Sequence, residues 1–426
     1  MAEVRFVSFV IIAVGLLLAI ARLTRIPASI LWFTGGLASI LLPGPVPPVR
    51  VDPMIVLGLL LPPLLYADIT DLSPSLLRNA AWRGVLNGAL WALGLTAACG
   101  LAAYYLLPGL DPVACMAIGV AAAVAEPRVL TESGLSNRLP PALSEALSAQ
   151  LASAPLIGVS LSIFTAKSVG GPFPGLPAIA GTLAYDIAVG GAAGLALGLA
   201  TATLRRHLDA PRTEATISLA TPFAAAMIGD WLGASPIAVL IAAGLMIAAR
   251  RLGKSGAESM DSPTSHRLID DLWQGLGMML TGALFFLMGR ALPEALEGAN
   301  ALPWTTLAIT AAALLALCWA VQFGLSWAAL AHPASPPIPR ADGGRVPPWH
   351  GAALMASGAG RSVIALAIAL ALPTTLPGGE PFLARDVVVA VVALMVVASA
   401  ALQWVGVPGL VHWIRPGTEP KPTTPP

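Results

Sequence analysis

Apolar runs of about 20 residues, each enough for a helix to cross a hydrocarbon core of about 30 Å, recur along the whole chain. They leave no room for a separate soluble domain. The expected spans are 6–22, 26–43, 52–69, 84–107, 111–130, 141–165, 177–203, 214–231, 234–250, 270–291, 302–329, 349–372 and 387–410. Composition agrees: 57% of residues are hydrophobic and 11% charged, against about 25% charged in a soluble domain. The expected fold is an all-α polytopic membrane protein with thirteen transmembrane helices. The first run, RFVSFVIIAVGLLLAIAR, follows Glu3 and is longer than a signal peptide's apolar region, so it reads as the first span.

The basic residues orient these spans. Of 23 Lys and Arg, 17 fall in loops on the side reached after the first span and five on the other, while Arg361 lies inside a span. The positive-inside rule makes the 17-charge side cytoplasmic, with the N-terminus outside, in the periplasm of an inner-membrane protein, and the C-terminus inside. The polar connectors 251–269 and 333–348 read as flexible linkers on the cytoplasmic side, and 411–426 as a disordered tail. Cys99, Cys115 and Cys318 all lie in apolar segments and read as unpaired core residues. No metal-ligand cluster, nucleotide fingerprint or Ser-His-Asp arrangement stands out, so neither an enzyme, a cofactor nor a nucleic-acid partner is expected.

An ionised side chain in hydrocarbon is costly and marks a bundle interior, a partner or a water-filled path. Several here point to transport. Glu126 precedes Pro127 in VAAAVAEPRVL, where proline removes a backbone donor and predicts an interrupted helix with a carboxylate beside it; the alternative is a simple kink neutralised by Arg128. Arg361, about 17 Å into its helix, needs a counter-ion, and Glu145 is the best placed carboxylate. That pair is structural, or Arg361 acts in transport directly. Gly358 and Gly360 beside it permit a second broken helix, running opposite to the Glu126 span as in an inverted repeat. Asp186, about 14 Å deep, shares its helix with no base at that level and reads as a proton site, a hydrogen-bonded core acid or a channel-lining group. Asp68, after Pro62 and Pro63, fits an intracellular ion funnel or an interfacial cap, and Asp230 borders a tight turn near the outside.

LPPLLYADI, AEPRVL, MIGDWLGASPIAVLIAAGLMI, ALFFLMG, WHGAALMASGAGRSVIALAIAL and ALQWVG, in this order along nearly the whole chain, resemble the motifs of the monovalent cation:proton antiporter family, sodium/proton exchanger branch. The resemblance implies two crossed interrupted helices and a homodimer embedded in the bilayer. Core segments would cover about 84–165 and 302–410, and dimerisation or scaffold segments about 1–69 and 177–291. It also implies exchange of Na+, K+ or Li+ for protons by an elevator-like movement.

The departures fall at the family's ion site. The family's Glu-Ser-Leu-Leu-Asn-Asp motif aligns with Glu145 to Gln150, so Glu145 matches the structural Glu that pairs with the arginine at Arg361, while Ala149 and Gln150 replace the Asn-Asp pair. Ala125 stands at the Thr and Glu126 at the Asp of the unwound element. A glutamine offers a carbonyl oxygen but cannot titrate, so proton coupling would move to Glu126 or Asp186. The alternatives are another solute, an anion among them, on the same scaffold, or a non-transporting membrane scaffold or sensor.

Overall fold

A computed structural model describes residues 2–24, 26–41, 56–70, 81–126, 157–173, 175–208, 210–252, 263–299, 302–332 and 345–414. Each expected span contains a helical segment. In chain order these are α1 (Ala2–Thr24), α2 (Ala28–Ala38), α3 (Leu61–Thr70), α4 (Ala81–Leu106), α5 (Pro112–Ala123) and α6 (157–168). After them come α7 (Leu176–Tyr185), α8 (Gly191–Arg206), α9 (Pro211–Leu232), α10 (Pro236–Leu252), α11 (Pro263–Gly298) and α12 (Trp304–Ala331). The last three are α13 (Pro348–Gly358), α14 (Val363–Leu370) and α15 (Ala384–Ile414). Among the described residues, seven helices are long and apolar enough to cross a membrane, and four shorter apolar helices of 10–17 residues accompany them. The outer surface carries Leu16, Tyr105, Leu176, Met227, Trp231 and Val405, an apolar coat suited to lipid rather than water.

Proline sets many boundaries. It stands at the first turn of α5, α7, α9 and α13, where its fixed φ suits the helix and its missing N–H is no loss. Pro263 likewise opens α11 well before position 270, so the expected linker 251–269 is shorter than the sequence suggested: helix resumes at 263 because SHRLIDDLW continues a helical pattern into the span. At the end of α9, Gly233 takes a left-handed conformation (φ +65°) and its N–H bonds Asp230 C=O at 3.1 Å. Asp230 itself is exposed beside that turn, which the sequence led one to expect next to it.

Small residues let the helices touch backbone to backbone. In α2 and α11 the pattern is reciprocal: a methyl group at Gly36 would strike the Phe286 carbonyl, and one at Gly289 would strike the Phe33 carbonyl. Both sites are glycine three residues after phenylalanine, so the helices interlock through matched faces. Gly194 and Gly198 of α8 meet the backbone of α10 at Val239 and Ala243 in the same way. Of the neighbouring glycines, Gly190 packs against Ala238 while Gly191 faces open space, so only the first serves close helix packing. Helix α5 is enclosed along almost its whole length: residues Val113–Ala123 are all buried, and Gly119 abuts the Thr96 carbonyl of α4.

Gly36→Ala and Gly289→Ala are each expected to destabilise the protein by about 1–3 kcal/mol, the usual cost of overpacking. Gly94→Ala, on the exposed face of α4 with nothing within 4 Å, serves as the control and does not lower the unfolding temperature in detergent.

Candidate functional site

Two helices stop short inside the protein and meet. Helix α5 ends at Ala123, and Ala125–Glu126 continue as an extended segment, β1. Helix α13 ends at Gly358, and Gly360–Arg361 form β2. The two segments pair antiparallel, Ala125 opposite Arg361 and Glu126 opposite Gly360. Ser362 N–H adds a bond to Val124 C=O at 3.4 Å, and the Ser362 side chain then caps α14 by accepting Ile364 N–H at 2.9 Å. This crossing places irregular backbone where a membrane protein tolerates it, inside a packed bundle: Ala125 is fully buried and Arg361 is 5% exposed.

The last carbonyls of a helix lack intrahelical donors and carry the negative end of its dipole. Here two such ends converge, and Arg361 serves both. Its guanidinium donates to Ala122 C=O at the end of α5 and, at 2.9 Å, to Ala359 C=O just beyond α13. The Arg361 N–H donates to Ser399 Oγ at 3.0 Å. One turn further along α15, Gln403 Nε2 donates to Ser357 C=O at 2.7 Å, and the Gln403 amide fills the space beside Gly360 that a Cβ would need. The remaining carbonyls of the crossing are the kind of oxygen ligand that a hard monovalent cation accepts.

Asp186 occupies a second polar locus. Between α7 and α8 the helix widens into a π turn over Asp186–Gly190, which turns the carboxylate toward α10. Asp186 is 5% exposed, and its Oδ1 accepts the Ser235 backbone N–H at 2.7 Å, at the start of α10. An acceptor there satisfies an otherwise orphaned donor and complements the positive helix end. Ser160 on α6 donates from its hydroxyl to Ser235 Oγ at 3.2 Å, so a buried polar chain links α6, α10 and the π turn. Of its three sequence readings, this contact agrees with a hydrogen-bonded acid, and the acid retains a second oxygen for a proton.

The structure brings together Ala125, Glu126, Gly358, Gly360 and Arg361 at the crossing. Asp186 lies elsewhere, on the α7–α8 turn. Glu126 and Asp68 are described as backbone only, Asp68 within α3. Pro127, Arg128, Glu145, Ala149 and Gln150 lie outside the described residues. Sequence reasoning missed Ser399 and Gln403. Their signal was present: two polar residues four apart in the otherwise apolar run 387–410 share one helix face. Ser160 and Ser235 carried no such signal.

Comparison with known proteins completes the description. The family profile for the transmembrane region of sodium/hydrogen exchangers matches residues 8–413. An uncharacterised Na(+)/H(+) exchanger of Mycobacterium tuberculosis strain H37Rv is 25% identical over 378 residues, covering 86% of this chain and 66% of that protein. The chain thus spans just under two thirds of that relative's length. The uncharacterised Na(+)/H(+) exchanger YjcE of Escherichia coli K12 is 27% identical over 394 residues, covering 86% of this chain and 68% of that one. Among solved structures, the sodium proton antiporter MjNhaP1 from Methanocaldococcus jannaschii superposes with a TM-score of 0.70 at 14% identity, covering 97% of this chain and 99% of that one. This last likeness concerns the fold.

Arg361→Gln is expected to lower the unfolding temperature and the yield of folded protein, because each lost bond from a charged donor is worth roughly 1.5–3 kcal/mol. Arg361→Lys retains the charge but not the fork that reaches two carbonyls, and falls between the two. Thermal unfolding in detergent reads both.

Proposed function

Since the chain belongs to the sodium/hydrogen exchanger family, a family of multi-pass membrane transporters, we propose that it exchanges a monovalent cation, Na+, K+ or Li+, for protons across the inner membrane. The observation that carries this reading is the crossing at Ala125–Glu126 and Gly360–Arg361, which sets two helix ends and their carbonyls around one buried guanidinium. In this reading the chain crosses the membrane thirteen times, with the N-terminus in the periplasm and the C-terminus in the cytoplasm, and works as a homodimer. Segments 84–165 and 302–410 form the mobile core, and 1–69 and 177–291 the scaffold.

Gln150 stands where the family's alternating carboxylate is expected, and an amide cannot release a proton. The proton is therefore carried by Glu126 or Asp186, with Gln150 supplying an oxygen to the cation. Glu126 belongs to the crossing itself, and a cation bound among the carbonyls would compete there with its proton. Asp186 has a different advantage. Its contact with Ser235, and through it with Ser160 of the core segment, ties its protonation state to the boundary along which the core would move.

Proteoliposomes carrying the purified protein are expected to show sodium- or potassium-driven proton movement. Glu126→Gln and Asp186→Asn separate the two carriers: the one whose loss abolishes exchange is the coupling acid, and full rates in both variants refute the relocation. Asp186→Asn retains an oxygen for the Ser235 N–H and is expected to fold normally, whereas Asp186→Ala also loses about 1 kcal/mol of capping. If only Gln150→Asp exchanges, the native chain is a transporter silenced by substitution.

A further inference from the structure

Three buried thiols play no part in the transport reading, and two of them touch. Cys99 of α4 and Cys318 of α12, 219 residues apart in sequence, are fully buried with their Sγ atoms 3.6 Å apart, and neither is in a disulfide. Cys318 Sγ lies 3.8 Å from Ala122 C=O and donates to it, so the proton between the two sulfurs belongs to Cys99. That same carbonyl anchors Arg361. A single polar chain therefore runs from Cys99 through Cys318 and Ala122 to the guanidinium at the crossing. Cys318 sits half-way along a 28-residue helix, about 21 Å from its start, at mid-membrane depth.

A pair of polarisable sulfurs shut away from water is a poor ligand set for Na+, which prefers oxygen, and a good one for a soft cation. A filled-shell monovalent ion is satisfied by two sulfurs and requires no third side chain. With metal–sulfur bonds of about 2.3 Å, such an ion sits bent between the sulfurs as they stand, or draws them about 1 Å further apart to lie in line. We propose that Cys99 and Cys318 form a two-sulfur site for a soft monovalent cation, Ag+ or Cu+, coupled through Ala122 to the crossing. Binding replaces one proton by one cation. The metal bonds both sulfurs, the Cys99 thiol proton leaves to water, Cys318 ligates as the neutral thiol, and no net charge is added to the membrane interior. Both helices lie in the core segments, so the bound ion acts not by locking core to scaffold but by loading the Cys318 sulfur, whose thiol donates to the Ala122 carbonyl that holds Arg361. It thereby arrests exchange, a consequence that rests on the transport reading, whereas binding does not.

The test uses the purified full-length protein in a chloride-free, thiol-free buffer titrated with silver nitrate, with bound silver counted by native mass spectrometry and affinity read by calorimetry. Wild type and Cys115→Ser are expected to hold one tightly bound Ag+. Cys99→Ser and Cys318→Ser weaken it by more than about 100-fold, the upper end of the effect of losing a merely supporting group. If either serine variant fails to purify folded, Cys99→Ala and Cys318→Ala carry the same comparison. No tight Ag+ on the wild type, equal affinity in the variants, or loss only in Cys115→Ser overturns the site. In proteoliposomes, Ag+ is expected to arrest exchange by wild type and not by Cys99→Ser; arrest of both equally overturns the coupling to the crossing. Absence of exchange without silver would count against the transport reading and leave the binding result standing.

Discussion

Two helix ends of like polarity cannot meet in a membrane interior without a positive charge between them. The chain meets this requirement with Arg361, whose guanidinium bonds a carbonyl at the end of α5 and another just beyond α13. Everything around the crossing is arranged for that side chain. Ser399 holds its backbone, Gln403 takes up the neighbouring Ser357 carbonyl, and the β1–β2 pairing satisfies part of the polar backbone that the broken helices expose. Helix α5 is buried from Val113 to its end at Ala123, which keeps water from competing for those bonds.

The architecture was legible in the sequence to the extent that it depends on hydrophobic run length. Each apolar run contains helix, and the breaks near Glu126 and Gly360 were signalled by Pro127 and by the glycines of ASGAGR. Arg361 was recognisable as a buried charge in need of compensation. The compensation itself was only half legible. The expected carboxylate, Glu145, lies outside the described residues, and the structure adds two backbone carbonyls that no residue pattern advertises, since every residue has one. A polar contact made by main chain leaves no trace in side-chain identity.

Asp186 shows the same limit from another side. Its depth and the lack of a base at that level of its own helix could be counted along the chain. Its bond to the Ser235 N–H depends on a helix start 49 residues away, and on a local widening of its own helix that propensity does not encode. Likewise the cysteines read correctly as buried and unpaired, yet the meeting of Cys99 with Cys318 joins helices far apart in sequence, so only the packing could reveal it.

The π turn at Asp186–Gly190 carries a consequence for how this chain lines up with other proteins. Such a turn holds one residue more than the helix it interrupts, and shifts the phase of all that follows by about 100°. The faces of α7 and the glycine stripe of α8 therefore belong to different angular registers, and Gly194 and Gly198 meet α10 in the register that follows the surplus residue. A homologue with an unbroken helix here would align with a one-residue gap inside a transmembrane segment. In this segment the gap marks the place where a carboxylate was turned inward, and counts as geometry rather than as alignment error.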